Sequence, residues 1–345
     1  HWGFDRAFDL WREFEVDTPQ GSCENVTREA LRWLRGERAD PFFLFLHYYD
    51  PHDPYDPPPR WRERFPTSVF GQDARRIVWQ HRPPGRDIAD ERLLREIIAA
   101  YDGEIAWLDS ELARVLDALP ANTLTVIFSD HGEAFEEHGW TTHGAALYEE
   151  EVRTVLLVRP PGETAPPAGI EAPVMLLDVA PTILSLCGVA APPQYEGRDL
   201  SPLLRGEALP ERHVLSETKR HLEGRVLKMV RGGQWKLIYS LLDASVELYR
   251  LPDEQTDLAG GEPERRGAML ALVREWMEEE DYWLLRARGP GRFEATLRAE
   301  DGRFAVFIPA GLDAGDRFRP SGDGRQIELA VTVEEAGVKS LYLEV

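Results

Sequence analysis

Lysine is nearly absent: among 40 basic residues only Lys219, Lys228, Lys236 and Lys339 are lysines, all in the second half of the chain. Any cationic group working in the first half must therefore be arginine, histidine or a bound metal. Cysteine is scarcer still. Cys23 and Cys187 share no C-x-x-C spacing, so they read as buried free thiols rather than as a disulfide or a metal site. Long apolar runs are missing too. The longest, 174–189, is broken by Asp178, Pro181, Thr182 and Ser185, and reads as a buried helix rather than a membrane span. Positive charge is in deficit. A formal net charge of -21 excludes nucleic acid and anionic membrane surfaces as bulk partners, because both require a basic footprint. It leaves room for a small anionic substrate, since a metal ion and a few aimed cations reverse the field locally. No secretion leader is visible and the sequence opens at His1 in mid-pattern, so the expectation is a true N-terminus further upstream.

What is present is an ordinary globular composition, 43% hydrophobic and 29% charged over 345 residues, enough for one α/β core with smaller modules. Residues 25–35 have helical spacing. PFFLFLHYYD, residues 41–50, is an apolar run of strand length, as expected of a strand buried on both faces. Residues 51–90 carry little periodicity and read as a long excursion, with Trp61, Trp79, Arg75, Arg76 and Arg82 either walling a pocket or lying on a solvated surface. Residues 91–119 return to a helical stripe that includes Leu94, Ile97, Ile98, Ile105, Leu108 and Val115. TLTVIFSDHG (123–132) and VRTVLLVRPPG (152–162) are two further buried strands.

This order predicts an α/β fold, a doubly wound, mostly parallel sheet with helices on both faces. Short strands at 213–217, 226–231, 234–240 and 246–250 predict a small antiparallel C-terminal subdomain, followed by a helix over 262–280. From residue 292 the alternation predicts an appended β-rich module. The expected boundaries are 1–210 for the core, 211–282 for the antiparallel subdomain and 283–345 for the β-rich module.

The chemistry concentrates in two places. Ser129-Asp130-His131-Gly132-Glu133 ends a predicted strand, where open α/β sheets bind ligands. Asp130 and His131 there read either as two ligands of one divalent ion or as a cap on the turn. His131, His138 and His143 fall within thirteen positions, each followed by glycine, a pattern that lets several imidazoles converge. Glu133, Glu136 and Glu137 read as solvated loop charges or outer partners. The second place is His47-Tyr48-Tyr49-Asp50-Pro51-His52-Asp53-Pro54, where His47 lies inside the apolar run and His52 just beyond it, held between prolines.

PFFLFLHYYDPHDPYDPP, YDGEIAWLDSELARVLDAL and TLTVIFSDHGEAFEEHGWTTHGAALYEEEVRTVLLV, followed by VMLLDVAPTILSLCGV and VRGGQWKLIYSLLDASVELYRLPDEQTDLA, together resemble the bacterial sulfatase family of the alkaline-phosphatase-like superfamily. The resemblance implies metal-dependent hydrolysis of sulfate esters. It implies that Asp130 and His131 are metal ligands and that His52 contacts the sulfuryl oxygens. His143 falls where many members carry a leaving-group lysine, with His138 an outer partner and Glu150 and Arg153 an ion pair beneath the site. It further implies a divalent cation, Ca2+ foremost, with Mg2+, Mn2+ or Zn2+ as alternatives. The substrate would be a small anionic ester (a sulfated sugar, aryl or lipid head group), and the setting periplasmic or exported.

The family's nucleophile motif, C-x-P-S-R or S-x-P-S-R, does not occur in the sequence. Cys23 precedes Glu24-Asn25-Val26 and Cys187 precedes Gly188-Val189-Ala190. The nucleophile and the remaining metal ligands are thus expected upstream, and the 345 residues by themselves are expected to be inactive. Phosphodiester or phosphonate hydrolysis, a phosphoglycerol-type transferase, and a non-catalytic relative stay open as alternatives.

Overall fold

The computed structural model describes residues 4–14, 22–36, 40–82, 87–162, 169–220, 225–241 and 243–279, and the backbone of seven further strands between Trp283 and Glu344. The chain forms two compact units. One comprises His1–Val126, Ala134–Thr142 and Val158–Ala165, and the other Ile127–Glu133, His143–Leu157 and Pro166–Val345.

The first unit is built on helices α1 (Ser22–Arg35), α2 (Pro59–Arg64), α3 (Gly71–Gln80) and α4 (Glu91–Ala118). Helix α4 starts where the Asp90 carboxylate accepts the amides of Arg92 and Leu93 at 2.9 and 3.3 Å, satisfying two donors that a helix start leaves unpaired. Its buried face carries Ile97, Ala100, Trp107 and Val115, and also Glu104 and Glu111. Ile105, expected on that stripe, is 42% exposed. Helical phase explains the exchange: the carboxylates at 104 and 111 lie in line with Trp107, and Ile105 does not.

The 41–50 run departs from expectation. It is extended but joins no ladder among the described residues. Phe42, Leu44 and Leu46 pack against Ala30, Leu34 and Val115, whereas Phe43 and Phe45 are 65% and 51% exposed. With one face covered, a run suited to two-sided burial shows a period of two. The 51–90 excursion also differs, because it contains α2 and α3. Ala74 and Val78, one helical turn apart on α3, join Tyr55, Ile88, Ile97 and Ala100 in a buried cluster.

Next along the chain come β1 (Thr125–Phe128), β2 (Ala134–Phe135), β3 (Thr141–Thr142), α5 (Glu149–Val152) and β4 (Leu156–Arg159). Strands β1 and β4 pair with each other, and β2 and β3 form an antiparallel hairpin. The described architecture is thus mixed α/β, with a core sheet that amounts to β1 and β4 among the described residues.

In the second unit, α6 (Val179–Leu186) follows a 3-10 turn at Leu176–Asp178, and α7 (Ser201–Leu204) precedes the sheet. The expected burial of 174–189 holds for Val179, Pro181 and Thr182, but Leu176, Leu177 and Val189 are exposed. Cys187, expected inside, is exposed at the end of α6, and Cys23 is buried. Strands β5 (Val214–Arg220), β6 (Arg225–Gly232), β7 (Trp235–Ser240) and β8 (Val246–Arg250) form an antiparallel meander, as the sequence spacing predicts. Helix α8 (Pro263–Glu279) covers it, burying Met269, Val273 and Met277 on Val230, Leu237 and Leu248. Beyond it, β9 (Trp283–Ala287) pairs antiparallel with β15 (Lys339–Glu344), and β10 (Gly291–Arg298) with β14 (Gln326–Val333). Strand β11 (Ala305–Phe307) also pairs with β15, and β12 (Leu312–Asp313) and β13 (Phe318–Pro320) pair with β14. Among the described residues no helix is long and apolar enough to cross a membrane.

Candidate active site

In the second unit, pairing continues past the end of β1: the Ser129 amide donates to the Val155 carbonyl at 3.2 Å, and the Val155 amide donates to Ser129 Oγ at 3.0 Å. The chain then turns. Gly132 donates its amide to the Glu151 carbonyl at 2.7 Å, and a Cβ on Gly132 would lie 2.1 Å from the Glu150 carbonyl oxygen. Only glycine permits that approach, and it aims the preceding His131. Asp130 Oδ1 accepts the His131 amide at 3.0 Å. His131 Nδ1 lies 2.7 Å from the Gly132 carbonyl, so Nδ1 carries the proton and the ring's lone pair is on Nε2. That Nε2 is 3.7 Å from Asp130 Oδ1.

His143 stacks on His131, with ring centroids 3.9 Å apart and planes inclined by 25°. Its Nδ1 is 3.1 Å from Glu133 Oε1, and the Glu133 side chain is only 4% exposed. Glu133 is therefore not the solvated loop charge its flanking sequence suggests. It is a buried carboxylate that fixes the imidazole of His143. Of the three histidines expected to converge, His131 and His143 do so. His138 lies at the tip between β2 and β3, in the first unit, beside Gly139 at φ +72°.

Glu150 is partly buried on α5, and Arg153 is exposed at its end, where its amide donates to the Glu149 carbonyl at 3.0 Å. Sequence reasoning passed over their neighbour. Glu151 is 3% exposed, and its Oε2 accepts the amides of Gly144 at 2.5 Å and Ala146 at 3.4 Å. Burial pushes its carboxyl up to about 7, with the Gly144 and Ala146 amides and the positive field of His143 opposing and Glu150 adding to the rise. The sequence signal was faint: three consecutive glutamates, of which the fold buries the third.

In the first unit, His52 Nδ1 donates to the Asp53 carbonyl at 2.7 Å, and its ring stacks on Tyr49 at 4.4 Å. Asp53, 2% exposed, accepts from Trp79 Nε1 at 2.9 Å and pairs with Arg75 Nε at 3.1 Å. Arg75 and Trp79 stand at i and i+4 on α3, so one helix face anchors the His52 loop. Deeper in the same unit, burial and the nearby charge of Asp50 raise the Glu104 carboxyl to about 9, against the opposing amide of Asp56 at 2.7 Å.

The donor set tests the expected metal. Asp130 and His131 offer a carboxylate oxygen and an imidazole nitrogen within reach of one ion, two donors of the larger shell a divalent cation requires. Among the described residues there is no group of three or more metal-binding side chains.

Comparison with known proteins places these residues in context. The family profile named Sulfatase matches residues 1–189, and one described as N-sulphoglucosamine sulphohydrolase, C-terminal, matches residues 136–262. An arylsulfatase of Clostridium perfringens is 29% identical over 217 residues, covering 55% of this chain and 44% of its own length. A delta 4,5-hexuronate-2-O-sulfatase of Bacteroides thetaiotaomicron is 26% identical over 273 residues, covering 69% and 56%. The chain thus spans about half the length of the curated relatives it matches. Among solved structures, one bound to its substrate D-glucosamine-2-N,6-O-disulfate superposes with a TM-score of 0.61 at 20% identity, over 75% of this chain and 69% of that one. A phosphonate monoester hydrolase of Silicibacter pomeroyi gives a TM-score of 0.60 at 20% identity, over 79% and 66%.

Proposed function

The chain belongs to the sulfatase family, and on that premise we propose that the intact protein hydrolyses a sulfate ester or sulfamate of a sugar. The observation that carries the reading is the His131–His143 stack at the end of β1, with Glu133 buried against His143. The profile match over 136–262 and the sulfated-sugar chemistry of the relatives support a sugar as the substrate. No C-x-P-S-R or S-x-P-S-R motif occurs in the 345 residues. The outward Phe43 and Phe45 support a doubly wound sheet in which the 41–50 run is covered on both faces.

Asp130 and His131 would hold part of a divalent-cation site, Ca2+ foremost, and the ion would lend positive charge to the transferred group's oxygens. The chain's own residues have separate tasks. Glu133 holds His143 by Nδ1, which leaves Nε2 to face the leaving oxygen as a proton donor. His131 presents Nε2 because its Nδ1 donates a hydrogen bond to the Gly132 carbonyl. His52, kept in place by Asp53 and Tyr49, offers a cationic or donor group to an anionic oxygen.

A second reading, phosphonate monoester hydrolysis, has the Silicibacter pomeroyi structure as its support. The two separate in a direct assay of the intact protein on a matched aryl sulfate and aryl phosphonate monoester. We expect kcat/KM for the sulfate to exceed that for the phosphonate by about tenfold or more, a difference of roughly 1.4 kcal/mol in the barrier. A preference for the phosphonate would reverse the assignment.

A further inference from the structure

His131 and His143 each precede a glycine whose backbone amide has the same partner residue. Gly132 donates to the Glu151 carbonyl at 2.7 Å, and Gly144 donates to Glu151 Oε2 at 2.5 Å. One residue thus fastens two turns that lie twelve positions apart in sequence, one through its main chain and one through its side chain. Its helix does not drift. Lys236 Nζ, fully buried in β7, bonds Glu149 at 3.0 Å and Glu254 at 2.7 Å, and Tyr148 donates to Glu247 at 2.7 Å. Glu151 is therefore a fixed post on a pinned helix rather than a tethered surface charge.

The second carboxylate oxygen sharpens the point. Glu151 Oε1 is buried and has no hydrogen-bond partner among the described residues. A buried unsatisfied acceptor costs free energy that packing alone would remove by placing an apolar residue there. Retaining a carboxylate in that position is intelligible if its Oε2 fixes something the chemistry needs.

We propose that Glu151 is a positioning residue that sets the stacking of His143 on His131 by clamping the turn after each imidazole. The proposal rests on the hydrolase reading for its kinetic consequence, but its structural consequence is independent of it. Glutamine keeps an acceptor oxygen for the Gly144 amide. Aspartate keeps the charge but withdraws the oxygen by one methylene. Removing the clamp lets the two rings part, and a misplacement of about 1 Å at a reacting group can cost on the order of a hundredfold in rate.

The test compares the intact wild-type protein with Glu151→Gln and Glu151→Asp, after melting curves establish that each folds. Two readouts are taken: kcat and KM on an aryl sulfate, and the ring NMR signals of His131 and His143. The proposal expects Glu151→Gln to stay within about threefold of wild type. It expects Glu151→Asp to lose about tenfold or more in kcat with KM little changed, and to shift both sets of ring signals as the stack opens. Unchanged ring signals and kcat in Glu151→Asp would overturn the proposal, and so would a Gln variant that unstacks the rings as fully as the Asp variant does. If no variant, wild type included, turns over sulfate esters, the hydrolase reading fails, and the ring signals still decide whether Glu151 clamps the two turns.

Discussion

At the scale of single residues, the chain places carboxylates in protein interior and gives each a different fate. Glu133 meets an imidazole, Glu151 meets two backbone amides, and Glu104 meets one amide and the unfavourable field of Asp50. Glu104 makes the clearest solution prediction. Its carboxyl titrates near 9 in the fold against an ordinary value of 4.5. Below the ordinary value it is protonated in both folded and unfolded chains and costs nothing. As pH rises through that window the unfolded chain releases the proton while the folded chain keeps it, so stability is lost, by up to about 1.4 kcal/mol per pH unit. Glu104→Gln removes the titration and keeps the acceptor for Asp56. Its melting temperature should therefore gain on wild type steadily from pH 5 to pH 9. A constant offset across that range would show that Glu104 is ionised in the fold.

At the scale of elements, α5 is a single turn of helix that isolated propensity would not hold together. Tertiary polar contacts hold it instead: Lys236 is fully buried between Glu149 and Glu254, and the Glu149 amide donates to Glu254 at 2.6 Å. Lys236→Met should remove the buried cation that Glu149 and Glu254 share and destabilise the protein by about 3–5 kcal/mol, read by denaturant unfolding. A loss below about 1 kcal/mol would mean that the ion pairs are dispensable, as exposed pairs usually are.

Elements also show what periodicity could and could not reveal. The four strands of the meander were legible because alternation and the Gly232-Gly233 turn mark them. Helix α4 was legible in extent but not in face, because a stripe drawn through apolar residues misses the buried glutamates at 104 and 111. Helices α2 and α3 were hidden by their charged, short sequences. The 41–50 run was legible as extended, but its lack of a ladder was not, because strand pairing depends on chain elsewhere. The histidine–glycine spacing pointed to convergence of imidazoles, and His131 and His143 do stack. Glu133, Glu151, Arg75 and Trp79 became functional candidates only through contacts between segments that sequence order keeps apart.

At the scale of the whole molecule, a net charge of -21 and the near absence of lysine set a repulsive background for a sulfated substrate. On the proposed reading a sulfated substrate would be held by local cations, and histidine is the natural supply in a lysine-poor site. This makes His143 the hinge of the account. The decisive measurement is kcat/KM of the intact protein on a sulfated glucosamine, wild type against His143→Ala, with melting curves to establish folding. The account predicts a loss of about a hundredfold or more for the variant with its fold intact. Equal rates for the two proteins would remove His143, and the Glu133 pair that holds it, from the chemistry.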